Sequence, residues 1–215
     1  MEHHLLEPIA FIRDNLHVAP VPGLPELRIH MAHPGSGLWR LRDRDTDEPP
    51  YWAYAWAGGA VLARYILDHP EAVRGKRLLD LGAGSGIVGI AAAKAGADVS
   101  AAEIDPFGRA ALALNAAENA VAITLISGDL LAGPPAEVDL IAAGDVFYNA
   151  QVGGRMTAYL DRCAQAGVTI LVGDPGRVSL PMERLDAIAD YMVPDFGDPA
   201  PKQPSRVFAW KTPTV

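Results

Sequence analysis

Downstream of residue 76 the spacing of apolar positions keeps changing period. Short apolar runs alternate with stretches of about 10–15 residues whose apolar positions fall on one helical face. Residues 77–81 (RLLDL) read as a first strand. Residues 86–95 read as a helix closed by Gly96, a residue suited to a left-handed cap. Residues 98–103 form a second strand, and residues 106–119, opened by Pro106 and rich in Ala and Leu, a second helix. Strands follow at 122–126, 138–143 and 168–172, with a helix at 152–166. A further helix is predicted over 181–191 and a last strand over 206–211, antiparallel at the end of the sheet. Strands alternating with helices in this way predict an α/β fold with a doubly wound, mostly parallel sheet.

Upstream the pattern is less regular. Residues 9–15 suit a short helix, which Pro20-Val21-Pro22-Gly23 follows as a break. Residues 27–32 alternate weakly, as a strand does, and residues 40–47 form a charged loop closed by Pro49-Pro50. Residues 51–56 are densely aromatic, and 60–69 have helical periodicity. We expect residues 1–70 to be an extension that packs on a core of residues 71–215 and helps form its pocket, within one domain. A chain of 215 residues is long enough to bury a sizeable core.

Composition narrows the partners. A net charge of −8 disfavours nucleic acid, whose phosphates need clustered Lys and Arg. No apolar run is long enough to span a bilayer, and the acidic N-terminus has no basic segment leading an apolar one, so no membrane partner is expected. Cys163 is the only cysteine, which rules out an internal disulfide and a cysteine-based zinc cluster. A reducing cytoplasm and a monomer are expected. His30 and His33 lie three apart, but no third ligand falls at a convincing spacing, so no metal is expected; His3 and His4 belong to the chain end.

The chemistry gathers at strand ends. Leu78-Leu79-Asp80-Leu81-Gly82-Ala83-Gly84-Ser85-Gly86 joins strand to helix through alternate glycines, which let backbone pass close to a nucleotide-like ligand. The dinucleotide fingerprint G-x-G-x-x-G would need a third glycine where the chain has Ile87. Glu103 ends the second strand, placed to take two ribose hydroxyls, whereas Asp105 before Pro106 suits a helix cap. Asp129 follows the third strand, where it can accept from an exocyclic amine while Leu130 packs on the ring. Gly144, Asp145 and Tyr148 follow the fourth strand.

The G-x-G-x-G turn with Asp80 two positions ahead resembles motif I of class I S-adenosylmethionine (AdoMet) methyltransferases. Asp-x-x-Tyr at 145–148 resembles the post-strand-four motif of the seven-strand protein-lysine methyltransferases; neither Val146 nor Phe147 is the proline usual in enzymes that methylate glutamine or adenine. Together with the aromatic segment at 50–59 and Gly173-Asp174-Pro175-Gly176-Arg177, these stretches are similar to the bacterial electron-transfer-flavoprotein β-subunit lysine methyltransferases, over nearly the whole chain. Residues 195–205 (DFGDPAPKQPS) depart from that pattern, lacking the charge-rich hairpin expected before the last strand.

The resemblance implies a seven-stranded, Rossmann-like core, AdoMet as cofactor and S-adenosyl-L-homocysteine as product, and the flavoprotein β subunit as acceptor. It implies that Trp56 lies against AdoMet beside Asp80, Gly82, Ala83, Gly84, Glu103, Asp129, Leu130 and Gly144. Asp145 would then capture and aim the lysine, with Tyr148 orienting it. Other acceptors, such as a ribosomal protein or a small amine, share the cofactor residues. A noncatalytic AdoMet-binding regulator and a nicotinamide-linked oxidoreductase are the readings from other classes, and Ile87 with Asp-x-x-Tyr counts against the last.

Overall fold

The computed structural model describes residues 7–41, 50–195 and 203–212. His3, His4, residues 42–49 with most of the charged loop, and residues 196–202 of the divergent segment lie outside the described residues. Helix α1 (Pro8–Asn15) starts under the Glu7 carboxylate, which accepts the Ala10 N–H at 2.7 Å. It leads into an antiparallel hairpin of β1 (His17–Val21) and β2 (Leu24–Met31). Strand β1 carries Pro20 and does not read as a strand in sequence; a two-stranded ribbon tolerates the missing donor.

After α2 (Ala57–Asp68) the chain alternates β3 (Arg77–Leu81), α3 (Ile87–Lys94), β4 (Asp98–Ala102), α4 (Pro106–Glu118), β5 (Thr124–Ile126), β6 (Leu140–Gly144), α5 (Ala150–Gln165) and β7 (Thr169–Asp174). Strands β3 to β7 pair in parallel, and β8 (Leu185–Tyr191) and β9 (Ser205–Trp210) complete a seven-stranded sheet ordered β5-β4-β3-β6-β7-β9-β8. Order reverses between β3 and β6, the place where open α/β sheets leave a crevice at the strand C-termini. Strands β3, β6 and β7 are buried on both faces, which is why they read as continuous apolar runs.

Helices α2 and α3 cover one face of the sheet, α5 the other. Helix α1 packs on α4 through Phe11 and Phe107, whose rings meet edge to face at 5.7 Å, and Trp52 stacks on Phe107 at 5.5 Å. Helix α2 sits unusually close to the sheet. A Cβ on Gly173 would lie 2.1 Å from the Gly58 carbonyl, and one on Gly144 would lie 2.7 Å from the Gly59 Cα, so glycine is required on both sides of this seam.

Two expectations are corrected. Residues 181–191 are not a helix: a 3-10 turn at Met182–Arg184 leads into β8. Strand β9 is not at the sheet's end but lies between β7 and β8, antiparallel to both. Pairing decides this. Register runs from Leu185 opposite Trp210 to Tyr191 opposite Ser205, with a bulge between Ala187 and Ala189, and Arg206 and Lys211 meet Asp190 and Asp186 at 3.0 and 3.1 Å. Cross-strand partners thus outweigh a weak helical preference. Among the described residues no helix is long and apolar enough to cross a membrane.

Candidate active site

At the C-terminal ends of β3, β4, β6 and β7 lies a cavity of about 550 Å³. Trp56, Asp80, Gly82, Ala83, Gly84, Glu103, Asp129, Leu130, Gly144, Asp145 and Tyr148 all line it. Tyr51, Arg155 and Arg177 line it as well, three residues to which no motif in the sequence assigns a role.

The β3 side holds the glycine turn. Gly82, Gly84 and Gly86 have φ of +72°, +52° and +83°, which residues with a Cβ rarely adopt. The turn aims the start of α3 into the cavity. Asp80, 1% exposed, accepts the Gly89 N–H at 2.8 Å, and burial, with the nearby charge of Glu103 adding to it, raises its carboxyl to about 7. Glu103 accepts N–H bonds from Gly84 and Asp105 and the Tyr51 hydroxyl, each at 2.8 Å. Its carboxylate is therefore tied to the glycine turn. Burial and the Glu103 charge hold the Tyr51 phenol well above its ordinary value. Asp105 is committed elsewhere: it caps α4 by accepting the Phe107 N–H at 2.8 Å. Asp129 caps the turn Leu130–Ala132 through the Leu131 N–H and pairs with Arg155, whose hydrogen bond lowers its carboxyl. A turn held open by three glycines at positive φ, beside the two buried carboxylates of Asp80 and Glu103, fits an adenosine joined to an amino acid, as in AdoMet.

The β6 side is built around Asp145. Its φ of +59° places a residue with a side chain in the left-handed region, where Asp is tolerated better than most. Its N–H donates to the Gly173 carbonyl at 2.9 Å. Its carboxylate takes a fork from Arg177, Nε at 2.7 Å and Nη2 at 3.1 Å, and the Gly58 N–H at 2.9 Å. Asp145 thus caps α2 from 87 residues away, while the following helix α5 is capped by Asn149, which accepts the Val152 N–H at 2.8 Å. Asp195 accepts the Ala57 N–H at 3.1 Å and lies 3.6 Å from Arg177. The Arg177 guanidinium stands 5.9 Å from the centroid of Trp56, whose Nε1 donates to the Tyr51 carbonyl at 2.8 Å. Tyr148 is 54% exposed at the cavity mouth.

The two histidines three apart have separate partners. His30 faces Asn115 at 2.9 Å, and His33 stacks on His17 with ring centroids 3.8 Å apart.

The family described as lysine methyltransferase matches residues 49–180. The chain belongs to this family. It is an AdoMet-dependent protein-lysine methyltransferase with the class I fold. The rat protein named electron transfer flavoprotein beta subunit lysine methyltransferase is 34% identical over 195 residues, covering 86% of this chain and 76% of its own. The Xenopus laevis protein of the same name is 34% identical over 196 residues, covering 87% and 80%. Among solved structures, the ribosomal protein L11 methylase of Lactobacillus delbrueckii subsp. bulgaricus shares the fold. Its TM-score is 0.51 at 22% identity, over 71% of this chain and 79% of that one.

Proposed function

We propose that this methyltransferase modifies a lysine ε-amine on the β subunit of electron-transfer flavoprotein. The relatives that carry this name match most of the chain, and Asp145, Val146, Tyr148 and Asn149 stand at the cavity wall where an acceptor would enter. Residues 1–70 serve as an extension on the core of 71–215, supplying Tyr51 and Trp56 to the cavity. We place the enzyme in the cytoplasm as a monomer, acting on protein rather than nucleic acid.

Asp80, Gly82, Ala83, Gly84, Glu103, Asp129, Leu130 and Gly144 are assigned to AdoMet. Asp80 takes its ammonium, Glu103 its ribose and Asp129 the adenine edge with Leu130 against the ring; Trp56 closes the other side. When bound, AdoMet supplies a methyl carbon activated by the sulfonium, so that the amine lone pair takes the carbon while the bonding pair stays on sulfur. The protein contributes alignment and exclusion of water. Asp145 aims the acceptor nitrogen and Tyr148 orients it at the mouth.

The observation that carries this reading is Asp145 itself, a residue in the left-handed backbone region whose carboxylate is fixed by three hydrogen bonds at the wall of the cavity. Asp145→Ala is expected to abolish methyl transfer while calorimetry shows near-normal AdoMet affinity. Loss of AdoMet binding would make Asp145 a cofactor ligand instead. For the acceptor, mass spectrometry of an extract treated with the enzyme should find new methyl-lysine on the flavoprotein β subunit; methyl-lysine elsewhere alone would refute the choice.

A further inference from the structure

The Asp145 assignment leaves a chemical difficulty. Methyl transfer needs a neutral amine, yet an ordinary lysine, with a pKa of about 10.4, must give up about 4–5 kcal/mol to be neutral at pH 7. A lone carboxylate beside the amine makes this worse, because it favours the ammonium. The structure does not leave the carboxylate alone. Arg177 covers both Asp145 oxygens, at 2.7 and 3.1 Å, and its side chain is only 29% exposed.

The mounting of Arg177 is rigid. The Arg177 and Gly176 N–H groups both donate to Asp174 Oδ1, at 2.6 and 2.7 Å, so the turn after β7 is pinned to its own strand end. The Nη2 that closes the fork also lies 3.6 Å from Asp195, and the guanidinium stands over the Trp56 ring. The other Asp174 oxygen is buried with no hydrogen-bond partner among the described residues.

Resting on the acceptor reading above, we propose that Arg177 is a positioning residue that sets the charge state of the acceptor. It cancels the Asp145 charge, so the lysine nitrogen is taken up in neutral form, leaving its proton in solvent. The fork also fixes the angle at which Asp145 meets that nitrogen. A lysine at this place would supply charge without the fork, and glutamine neither.

The charged groups facing Arg177 are Asp145 after β6, Asp174 at the end of β7 and Asp195 after β8. Across the cavity stand Asp80, Glu103 and the Asp129–Arg155 pair, with the Tyr51 and Tyr148 hydroxyls. Among the described residues Arg177 is the cation paired with Asp145, so its loss has a defined sign.

The test is the pH profile of kcat at saturating AdoMet and acceptor protein, over about pH 6–10, because kcat reports ionisations of the bound complex. In Arg177→Gln the acidic limb should move up by about one pH unit or more, so that activity falls at least about tenfold at pH 7 and recovers toward pH 10. In Arg177→Lys the limb should stay in place while the plateau drops. A loss in Arg177→Gln that is the same at every pH would make Arg177 a structural staple and overturn the proposal. A limb displaced in Arg177→Lys would overturn it too, as would loss of S-adenosyl-L-homocysteine binding in the Gln variant. Full turnover in Asp145→Ala would instead remove the acceptor reading on which the proposal stands.

Discussion

Gly58→Ala tests whether the seam between helix and sheet holds the site together. The new Cβ would lie 2.5 Å from the Gly173 carbonyl oxygen, 2.7 Å from the Asp145 nitrogen and 2.8 Å from the Asp145 Cα. All three are backbone atoms, so no side chain can swing aside. Ordinary contact needs about 3.4 Å, and α2 must therefore lift from the sheet by about 0.9 Å. Overpacking of this kind costs about 1–3 kcal/mol. The lift also stretches the Gly58 N–H bond to the Asp145 carboxylate, now 2.9 Å, a charged hydrogen bond worth about 1.5–3 kcal/mol. Together these predict a loss of about 2.5–6 kcal/mol and, for a chain of this length, a melting point lower by about 5–24 °C. Misplacing Asp145 by nearly an ångström should cut turnover about 100-fold. Calorimetric melts and transfer of labelled methyl to the acceptor protein measure both. Gly154→Ala is the control: beyond its own helix nothing lies within 4 Å of its Cβ, in the second turn of α5, and it should gain about 0.5–1 kcal/mol. Wild-type melting and turnover in Gly58→Ala would mean that α2 is not seated on β7 and does not brace Asp145.

Other consequences are open to simpler assays. Burial raises Asp80 to about 7 in the folded state, so folding holds its proton more tightly than the unfolded chain does. Stability of the unliganded enzyme is then lost as pH rises from about 4 through about 7, by about 2–4 kcal/mol from this group. Asp80→Asn should accordingly raise the melting point at pH 8 and leave it nearly unchanged at the acid end, while weakening AdoMet binding; an equal effect at both ends would refute the burial argument. Glu103→Ala removes a charged partner of the ribose and should raise the AdoMet Kd about 10- to 100-fold by calorimetry, with an unchanged Kd removing Glu103 from the cofactor site.

The parallel half of the fold is readable from sequence because its signals are local. Strands β3, β6 and β7 are buried on both faces and so appear as apolar runs, and the glycine turn states its own backbone conformation. Strand β8 was not readable. As an edge strand it buries little beyond Leu185, and its acidic residues have partners on and beside β9, across a stretch of sequence no periodicity spans. The same distinction divides the site. Asp105 as a cap two residues from its partner was legible; Asp145 as the cap of α2 was not, since its partner is 87 residues away. Arg177 stood in a quoted motif without a role, because its role exists only once β6 and β7 lie side by side.

The position of β9 between β7 and β8 bears on how the chain can fold as it leaves a ribosome. Strand β8 is made first, yet among the described residues it pairs only with β9, and β7 also keeps an open edge until β9 arrives. A nascent chain released up to Tyr191 would thus carry two unsatisfied backbone edges, one of them on a strand buried on both faces. Strand β9, made after both of its neighbours, acts as the keystone, and a cut anywhere between β8 and β9 would leave fragments prone to pair with other chains rather than a smaller stable domain.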